Sequence, residues 1–306
     1  MKNSKLVIGL MSGTSLDGVD AALVEISGFG SQTIVNFKHF TSNPFPDEIR
    51  KILLKVSSGQ PVSSGIISNL NVLLGQLFSQ AVLKLCSECQ LPVNQIDLIG
   101  SHGQTIFHQS EPRKLWGHTV SSSLQIGEAA ILVEQTGVTV VSDFRPSDLA
   151  AGGTGAPLIP YVDFVLFRDP ILGRVLLNLG GIANLTILPP KCQSSQIRAF
   201  DTGPGNMVSD DLARHFSQGR KQFDEQGLQA SSGKIIVPVL ETLLSDPFFK
   251  KKPPKSAGRE QFGQCYTKKL LAMAELAQEK DIICTATEVT VRTVVDAIFS
   301  YSDHPF

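Results

Sequence analysis

The chain has 306 residues, of which 42% are hydrophobic and 18% are charged, and its formal net charge is −1. This composition is typical of a soluble globular protein with room for one large or two medium domains, and we favour two. Because nucleic acids and anionic membranes attract basic surfaces, the near-neutral charge predicts neither as a partner.

Apolar runs and cysteines indicate the compartment. The first residues, MKNSKLVIGLMSG, contain only a short apolar run, and no later run looks long enough to span a bilayer, which predicts a cytoplasmic protein without a membrane partner. The five cysteines are an odd number spread over the chain, which predicts free thiols. The pair in CSEC (86–89) has no second CxxC or histidine pair to complete a zinc site.

The first half of the chain alternates predicted strands and helices. A meander of three strands is predicted over 5–10, 18–26 and 32–40, and helices follow over 47–56 and 65–88. The stretch QIDLIGSHGQTIFH (95–108) predicts a strand running into a polar loop. A helix over 128–137, closed by Gly137, and a buried strand over 138–143 come next. This alternation predicts an α/β layered domain.

The second half repeats the opening pattern. After a glycine-rich loop (150–157) and a helix (158–167), residues 173–189 predict two strands around a Gly-Gly turn. Helices are then predicted near 206–217, 234–245, 262–279 and 289–300. The repeated strand-turn-strand pattern predicts two domains, 1–137 and 138–306, with glycine-rich turns facing each other across a cleft.

The first turn, in IGLMSGTSLDGVD (8–20), has two interpretations. Backbone N–H groups at glycines and the Ser12 hydroxyl suit a phosphate, and Asp17 and Asp20 suit Mg²⁺. The same residue types also make an ordinary hairpin turn. The related NLGGIAN stretch favours phosphate. GLQASSGKI (227–235) is not a Walker A motif, because five residues separate its glycines and Ile235 replaces Ser or Thr.

Seven motifs together resemble one family. They are MSGTSLDGVD, GSHGQTIFH, LQIGEAAILVEQTGVTVVSDFR, AAGGTGAPLIP, LNLGGIANLTIL, FDTGPGNM and PPKSAGRE, and they cover nearly the whole chain in order. The chain resembles the anhydro-N-acetylmuramic acid kinases, members of the sugar kinase, Hsp70 and actin superfamily. The resemblance implies two ribonuclease-H-like (actin-like ATPase) domains that hold ATP between two phosphate loops. The implied loop residues are Gly13, Thr14, Ser15, Leu16, Asp17, Gly18, Val19 and Asp20, then Gly180, Gly181 and Asn184.

The resemblance also implies a reaction on a small amino sugar. The family adds water to the 1,6-anhydro ring of anhydro-N-acetylmuramic acid and phosphorylates the freed 6-oxygen from ATP. Asp201 follows a predicted short strand and opens a Gly-Pro-Gly turn. The resemblance implies that it is the general base, with an N-cap of the following helix as the alternative. It also implies Asp17 and Asp201 as Mg²⁺ ligands. Implied substrate contacts follow predicted strands: His102, Gln104, Thr105, Asp143 and Arg145.

Among these implied contacts, Arg145 is also suggested by the chemistry of its own side chain. Its forked guanidinium suits a carboxylate or a phosphate, and a buried ion pair with Asp143 is the alternative.

Two departures from the family pattern set up a competing hypothesis. DFRPSD has Pro146 and Ser147 where the family has further arginines, and the chain ends at YSDHPF, ahead of the family's adenosine-binding segment. The resemblance therefore predicts an incomplete second domain. The alternatives are a catalytically inactive actin-like binding module and a kinase for another hexose. Family members are often dimers, so a homodimer is an expectation.

Overall fold

The computed structural model describes residues 4–13 and 16–302, with side chains at all of these positions except 110, 111, 259 and 260. The chain divides into two compact units, Met1–Leu158 and Ile159–Phe306. The boundary predicted from the sequence, between 137 and 138, lies ahead of a short strand that pairs inside the first unit.

Unit 1 is built on one mixed sheet with helices packed against it. Its strands are β1 (Ser4–Ser12), β2 (Gly18–Ser27), β3 (Ile34–Pro44), β4 (Leu98–Leu115), β5 (His118–Ile126) and β6 (Val140–Val141). Its helices are α1 (Asp47–Ser57), α2 (Ser64–Glu88), α3 (Ala129–Thr136) and α4 (Phe144–Ala150). The strand order is β3-β2-β1-β4-β5, and β6 also pairs with β4.

The predicted meander is confirmed. β1, β2 and β3 are antiparallel neighbours, while β1 and β4 run parallel. The first turn therefore connects β1 to β2 at the end of β1, next to the middle of β4, where Ser12 is paired with Gln104. This pairing brings the MSGTSLDGVD and SHGQT motifs together.

Helix α2 is the core helix of unit 1. The Ser63 hydroxyl caps it by accepting from the Ile66 N–H at 3.3 Å, and Leu74, Phe78 and Leu85 are fully buried. By length and composition α2 could cross a membrane, contrary to the prediction that no run is long enough. In the structure its apolar side chains instead pack in the same core as the strands.

The predicted polar loop around SHGQTIFH is wrong. β4 continues through it to Leu115 and turns back as β5, because polar side chains here are accommodated inside the sheet, Ser101 and Gln104 both being buried. The predicted buried strand over 138–143 is also wrong in extent. β6 has only two residues, Val141 is exposed, and Asp143 takes a left-handed φ of 59° that starts α4. The helix closed by Gly137 is confirmed.

Unit 2 has a three-stranded antiparallel sheet, β7 (Arg174–Leu179), β8 (Ile182–Leu188) and β9 (Arg198–Pro204), in that order. Its helices are α5 (Ile159–Phe167), α6 (Met207–Phe216), α7 (Leu228–Ser232), α8 (Val237–Leu244), α9 (Pro247–Lys250), α10 (Arg259–Phe262), α11 (Gln264–Met273) and α12 (Glu279–Tyr301). The strands predicted in 173–189 and the helix predicted over 158–167 are confirmed. The helix predicted over 262–279 ends at Met273, and the one predicted at 289 begins at Glu279.

Each face of the unit 2 sheet packs against one helix. Leu185, Ile187 and Phe200 pack with Ala297 of α12. On the opposite face Phe164 of α5 packs with Leu188. The remaining helices form a separate apolar cluster with α12.

The CSEC cysteines lie at the end of α2 and make no bridge. All five cysteines are free thiols, with Cys86 buried and Cys89 half-buried. Burial raises the pKa of both thiols, which disfavours the reactive thiolate form.

Candidate functional site

The first turn is a tight hairpin that ends in an exposed carboxylate. The Gly13 carbonyl accepts from the Leu16 N–H at 3.2 Å. Leu16 has a left-handed φ of 57°, and its side chain is buried, so it could offer a phosphate only its backbone. The Asp17 side chain is exposed. Thr14 and Ser15 lie outside the described residues, so their implied roles stay predictions.

Gln104 braces this turn from the neighbouring strand. Its side-chain Nε2 donates to the Gly13 carbonyl at 3.1 Å, and its Oε1 lies 2.6 Å from the Ser12 hydroxyl. That hydroxyl also lies 2.7 Å from the Gly18 carbonyl oxygen. Because Gln104 is fully buried and bonded at both ends, the structure gives it a supporting position beneath the turn.

The remaining loop residues continue as strand β2. A Cβ at Gly18 would collide with the Asn43 carbonyl, so close strand pairing already requires this glycine. Val19 is buried in the core, whereas Asp20 is exposed on the opposite face. Asp17 and Asp20 thus offer exposed carboxylates, the ligand chemistry that Mg²⁺ prefers.

Arg145 and His102 form a half-buried polar cluster in unit 1's candidate site. The Arg145 Nε donates to His102 Nε2 at 2.9 Å, and its Nη1 donates to the Gly155 carbonyl at 2.7 Å. His102 Nδ1 lies 2.8 Å from the Gly103 carbonyl, so Nδ1 carries the proton. Burial lowers the pKa of His102, helped by the Arg145 charge and opposed by the hydrogen bond to the Gly103 carbonyl.

The glycine-rich loop after α4 contributes to the same cluster. The Asp148 carboxylate accepts from the Gly155 N–H at 2.8 Å, and a Cβ at Gly153 would collide with that carboxylate. His108 is adjacent to Gly155, and burial, followed by the Arg145 charge, lowers the pKa of this histidine too. The loop is therefore held on the Arg145 side of the unit.

The other two predicted substrate contacts of unit 1 lie further out. Thr105 accepts from Gln125 Nε2 at 3.1 Å. Asp143 is exposed, with the Ser142 hydroxyl 3.3 Å from its carboxylate. An ion pair between Asp143 and Arg145 is not found among the described side chains, so that alternative is wrong. His102, Gln104 and Thr105 lie inside β4, not after its end as the sequence suggested.

The two glycine-rich motifs of unit 2 form one structure. The Gly180 carbonyl accepts from the Asn206 N–H, and the Gly181 carbonyl accepts from the Gly205 N–H, both at 2.9 Å. A Cβ at Gly205 would collide with the Gly180 carbonyl. The second turn therefore docks on the start of α6. Asn206 is the N-cap residue of α6, without a side-chain capping bond.

Asp201 lies inside β9, directly across from Asn184 of β8. The sequence put it after a strand, but the strand runs on to Pro204. Its Oδ2 accepts from the Ala257 N–H at 2.8 Å, and its own N–H donates to the Lys255 carbonyl at 3.0 Å. Burial raises the pKa of Asp201, against the lowering effects of the Ala257 N–H and the Lys255 charge.

Lys255 is a neighbour of Asp201 for which the sequence predicted no role. Its ammonium lies 4.7 Å from the centre of the Phe248 ring and donates to the Phe248 and Phe249 carbonyls. Burial lowers the pKa of Lys255, while the Asp201 charge raises it. Lys255 belongs to the PPKSAGRE motif, one of the seven motifs that carry the family resemblance. That motif could have pointed to the lysine.

No group of three or more His, Cys, Asp or Glu side chains suited to a metal ion occurs in the part of the chain that the structure describes. The two implied Mg²⁺ ligands, Asp17 and Asp201, belong to different units. Their metal role therefore stays a prediction.

A family model described as anhydro-N-acetylmuramic acid kinase matches residues 5–304. The chain belongs to this family. Proteins named anhydro-N-acetylmuramic acid kinase match it at 45% identity in Caldanaerobacter subterraneus subsp. tengcongensis and 43% in Bacillus thuringiensis subsp. konkukian. The alignments cover 96% and 94% of this chain and 75% and 74% of those proteins. The resemblance of the seven motifs is confirmed.

A comparison with solved structures gives only low similarity. A reductive activator for corrinoid, iron-sulfur protein aligns with a TM-score of 0.32 and 10% identity, over 68% of this chain and 32% of that one. A similarity this low carries no argument. The kinase relatives do not favour the alternative of an inactive binding module.

Proposed function

We propose that this chain is an ATP-dependent kinase that opens the 1,6-anhydro ring of anhydro-N-acetylmuramic acid and phosphorylates its 6-oxygen. Water adds to the anomeric carbon, the ring ether breaks, and the freed 6-oxygen takes the γ-phosphoryl group of ATP. The products are N-acetylmuramic acid 6-phosphate and ADP. The family match over residues 5–304 is the observation that carries this proposal.

Asp201 is the proposed general base. A carboxylate with a raised pKa is a better base than an exposed one, and the Ala257 N–H holds one of its oxygens in place. The other oxygen would take the proton from the attacking water. Asp201 is a half-buried carboxylate in mid-strand, and the alternative role, N-cap of α6, belongs to Asn206.

The two turns are the proposed sites for ATP. Backbone groups at Gly13, Gly180 and Gly181 would contact phosphate oxygens, and Asp17 and Asp20 would hold Mg²⁺ directly or through water. Magnesium, when bound, would neutralise charge on the transferred phosphoryl group. The exposed Asp17 and Asp20 carboxylates fit this role by their chemistry.

Arg145 is the proposed contact for the substrate's lactyl carboxylate. Two of its N–H groups are bonded to His102 and Gly155, which fixes the plane of the guanidinium. Its remaining N–H groups can receive a carboxylate in the bidentate manner that this side chain favours.

The wider setting belongs to the same proposal. Units Met1–Leu158 and Ile159–Phe306 would be the two ribonuclease-H-like, actin-like ATPase domains, since the first two strands of each unit form a hairpin whose turn carries a glycine motif. The protein would act in the cytoplasm, in cell-wall recycling, and would pair as a homodimer.

A coupled assay for ADP tests the proposal. ADP should form with anhydro-N-acetylmuramic acid and ATP together, and not with ATP alone. ADP formation with a simple hexose and not with the anhydro sugar would overturn the substrate assignment.

A further inference from the structure

A short segment of unit 2, residues 255–257, clamps the proposed general base. Asp201 of β9 donates its backbone N–H to the Lys255 carbonyl at 3.0 Å, and its Oδ2 accepts from the Ala257 N–H at 2.8 Å. The 255–257 segment therefore bonds to both the backbone and the side chain of Asp201. Because this contact fixes one carboxylate oxygen, it also sets the direction in which the other oxygen points.

The Lys255 side chain ties the 255–257 segment to helix α9. Its ammonium donates to the Phe248 carbonyl at 3.3 Å and to the Phe249 carbonyl at 3.4 Å. Carbonyls at the C-terminal end of a helix attract positive charge and accept from lysine side chains. Lys255 thus closes the loop that leaves α9 and returns the chain to β9.

The point to which Lys255 is tied is itself well packed. The ammonium lies 4.7 Å from the centre of the ring of Phe248, a residue that is only 1% exposed. Phe248 packs edge-on against Phe249, with ring centres 5.9 Å apart. The Phe249 ring lies against β9, since a Cβ at Gly203 would come within 2.7 Å of it. The strand of Asp201 and the support of Lys255 therefore belong to one packed structure.

The ammonium acts on Asp201 through the chain. Its hydrogen bonds go to carbonyl oxygens of α9, whereas the backbone carbonyl of the same lysine receives the Asp201 N–H. Loss of the side chain would leave the Lys255 carbonyl and the Ala257 N–H in the chain, but it would free the segment that carries them. The orientation of the carboxylate should then become less well defined.

We infer that Lys255 is a positioning residue, which ties the 255–257 segment to α9 and so holds the Asp201 carboxylate in the orientation that a general base requires. This inference rests on the proposed function for the role of Asp201. A displacement of a reacting group by about 1 Å can lower a rate by about 100-fold, so a support behind the base affects turnover.

Steady-state kinetics of Lys255→Met in the full chain test the inference. Methionine keeps an unbranched side chain and removes the charge and the donors. The value of kcat should fall about 10- to 100-fold, while KM for the anhydro sugar and for ATP should change by less than about twofold. Lys252→Met is the matched control, because Lys252 is an exposed lysine of the same loop, and it should leave kcat unchanged.

Two other substitutions of the lysine complete the series. Lys255→Arg should retain at least about a third of the wild-type kcat, because a guanidinium can also lie over an aromatic ring and donate to the carbonyls. Lys255→Gln has a shorter, neutral side chain that keeps a polar end. It should show the same fall as Lys255→Met, and it replaces that variant if the methionine protein does not fold.

A double variant distinguishes positioning from a general loss of structure. Adding Lys255→Met to Asp201→Asn should lower kcat no further, because the base whose orientation the lysine sets is already absent. A lysine with only a structural role would lower kcat by the same factor in both backgrounds. That result, or an unchanged kcat in Lys255→Met, would overturn the inference.

Amide hydrogen exchange makes the test independent of the kinase reaction. Without ligands, the Ala257 N–H should exchange at least about tenfold faster in Lys255→Met than in the wild type, and at the wild-type rate in Lys252→Met. Faster exchange in a chain that forms no ADP would support the tie to α9 and refute the proposed reaction. ADP formation by the wild type, with unchanged Ala257 exchange in Lys255→Met, would overturn the inference and leave the proposed function standing.

Discussion

At the scale of single residues, the proposed site depends on charged groups that are kept partly away from water. Burial opposes the ionisation of the Asp201 carboxylate, whereas the Ala257 N–H and the Lys255 charge favour it. Desolvation of this charge lowers the stability of the fold. It also raises the pKa of the carboxylate, which makes the group a stronger base.

Asp201→Asn should separate these two effects. ADP formation should fall by about 10²–10⁴-fold, the usual contribution of a general base. The melting temperature at pH 7 should be equal or higher, because Asn removes the buried charge and can still accept from the Ala257 N–H. The exposed Asp296→Asn serves as the control and should change neither quantity.

The same carboxylate predicts a pH dependence. The pKa of Asp201 is raised in the folded chain. The free energy of unfolding therefore falls as the pH rises through this pKa, because the carboxylate becomes charged where burial opposes the charge. This loss of stability is absent below the pKa that Asp201 has in the unfolded chain. The stability advantage of Asp201→Asn should shrink as the pH is lowered from 7. Wild-type kcat should fall on the acid side with a pKa above that of an ordinary aspartate. A constant advantage at all pH values would contradict this explanation.

Arg145→Lys should weaken recognition of the carboxylated sugar. Lysine cannot reproduce the paired bonds to His102 and Gly155 or the fork that receives a carboxylate. Since a hydrogen bond to a charged group contributes about 1.5–3 kcal/mol, KM for anhydro-N-acetylmuramic acid should rise about 10- to 100-fold. KM for ATP should stay the same. A rise in KM for ATP alone would assign Arg145 to the nucleotide.

At the scale of elements, the sequence predicted the regular parts and missed those where polar residues are buried. The meander and α2 were predictable, because their apolar residues follow a clear period. β4 was predicted too short, because polar residues such as Ser101 and Gln104 are typical of loops. In the structure the pairing of β4 with β1 gives the buried Gln104 side chain a hydrogen-bond partner, Ser12. Asp201 was assigned to a turn because the glycines after it suggested one.

The candidate site was predictable mainly through resemblance. The chemistry of single residues suggested Arg145 and the first turn, but it did not suggest the residues that hold Arg145 in place. His102, Asp148 and Gly155 come from β4, α4 and the following loop, and they meet only in the folded chain. Lys255 is brought to Asp201 in the same way, from a separate segment.

The docked glycine turns of unit 2 give a prediction at this scale. Gly205→Ala should lower the free energy of unfolding by about 1–3 kcal/mol, because the added Cβ collides with the Gly180 carbonyl. Gly180→Ala is the matched control, since its Cβ would have its nearest neighbour, the Ile182 carbonyl, at an ordinary 3.6 Å. Urea denaturation compares the two. If Gly180 contacts a phosphate through its backbone, Gly180→Ala should raise KM for ATP without losing stability.

At the scale of the whole molecule, the proposed site residues are divided between the two units. Unit 1 contains the first turn and the Arg145 cluster, and unit 2 contains the second turn and Asp201. The chain spans about three quarters of the length of its named relatives, aligning with 75% of one and 74% of another. Its membership in the kinase family rests on the matched residues, 5–304.

The mass of the sugar product tests the central claim most directly. The full chain is incubated with ATP, Mg²⁺ and anhydro-N-acetylmuramic acid, and the product is analysed by mass spectrometry. The account predicts a sugar that has gained one phosphoryl group and one water, and no such product from Asp201→Asn. A product that has gained the phosphoryl group without the water, or ATP consumption with an unchanged sugar, would contradict it.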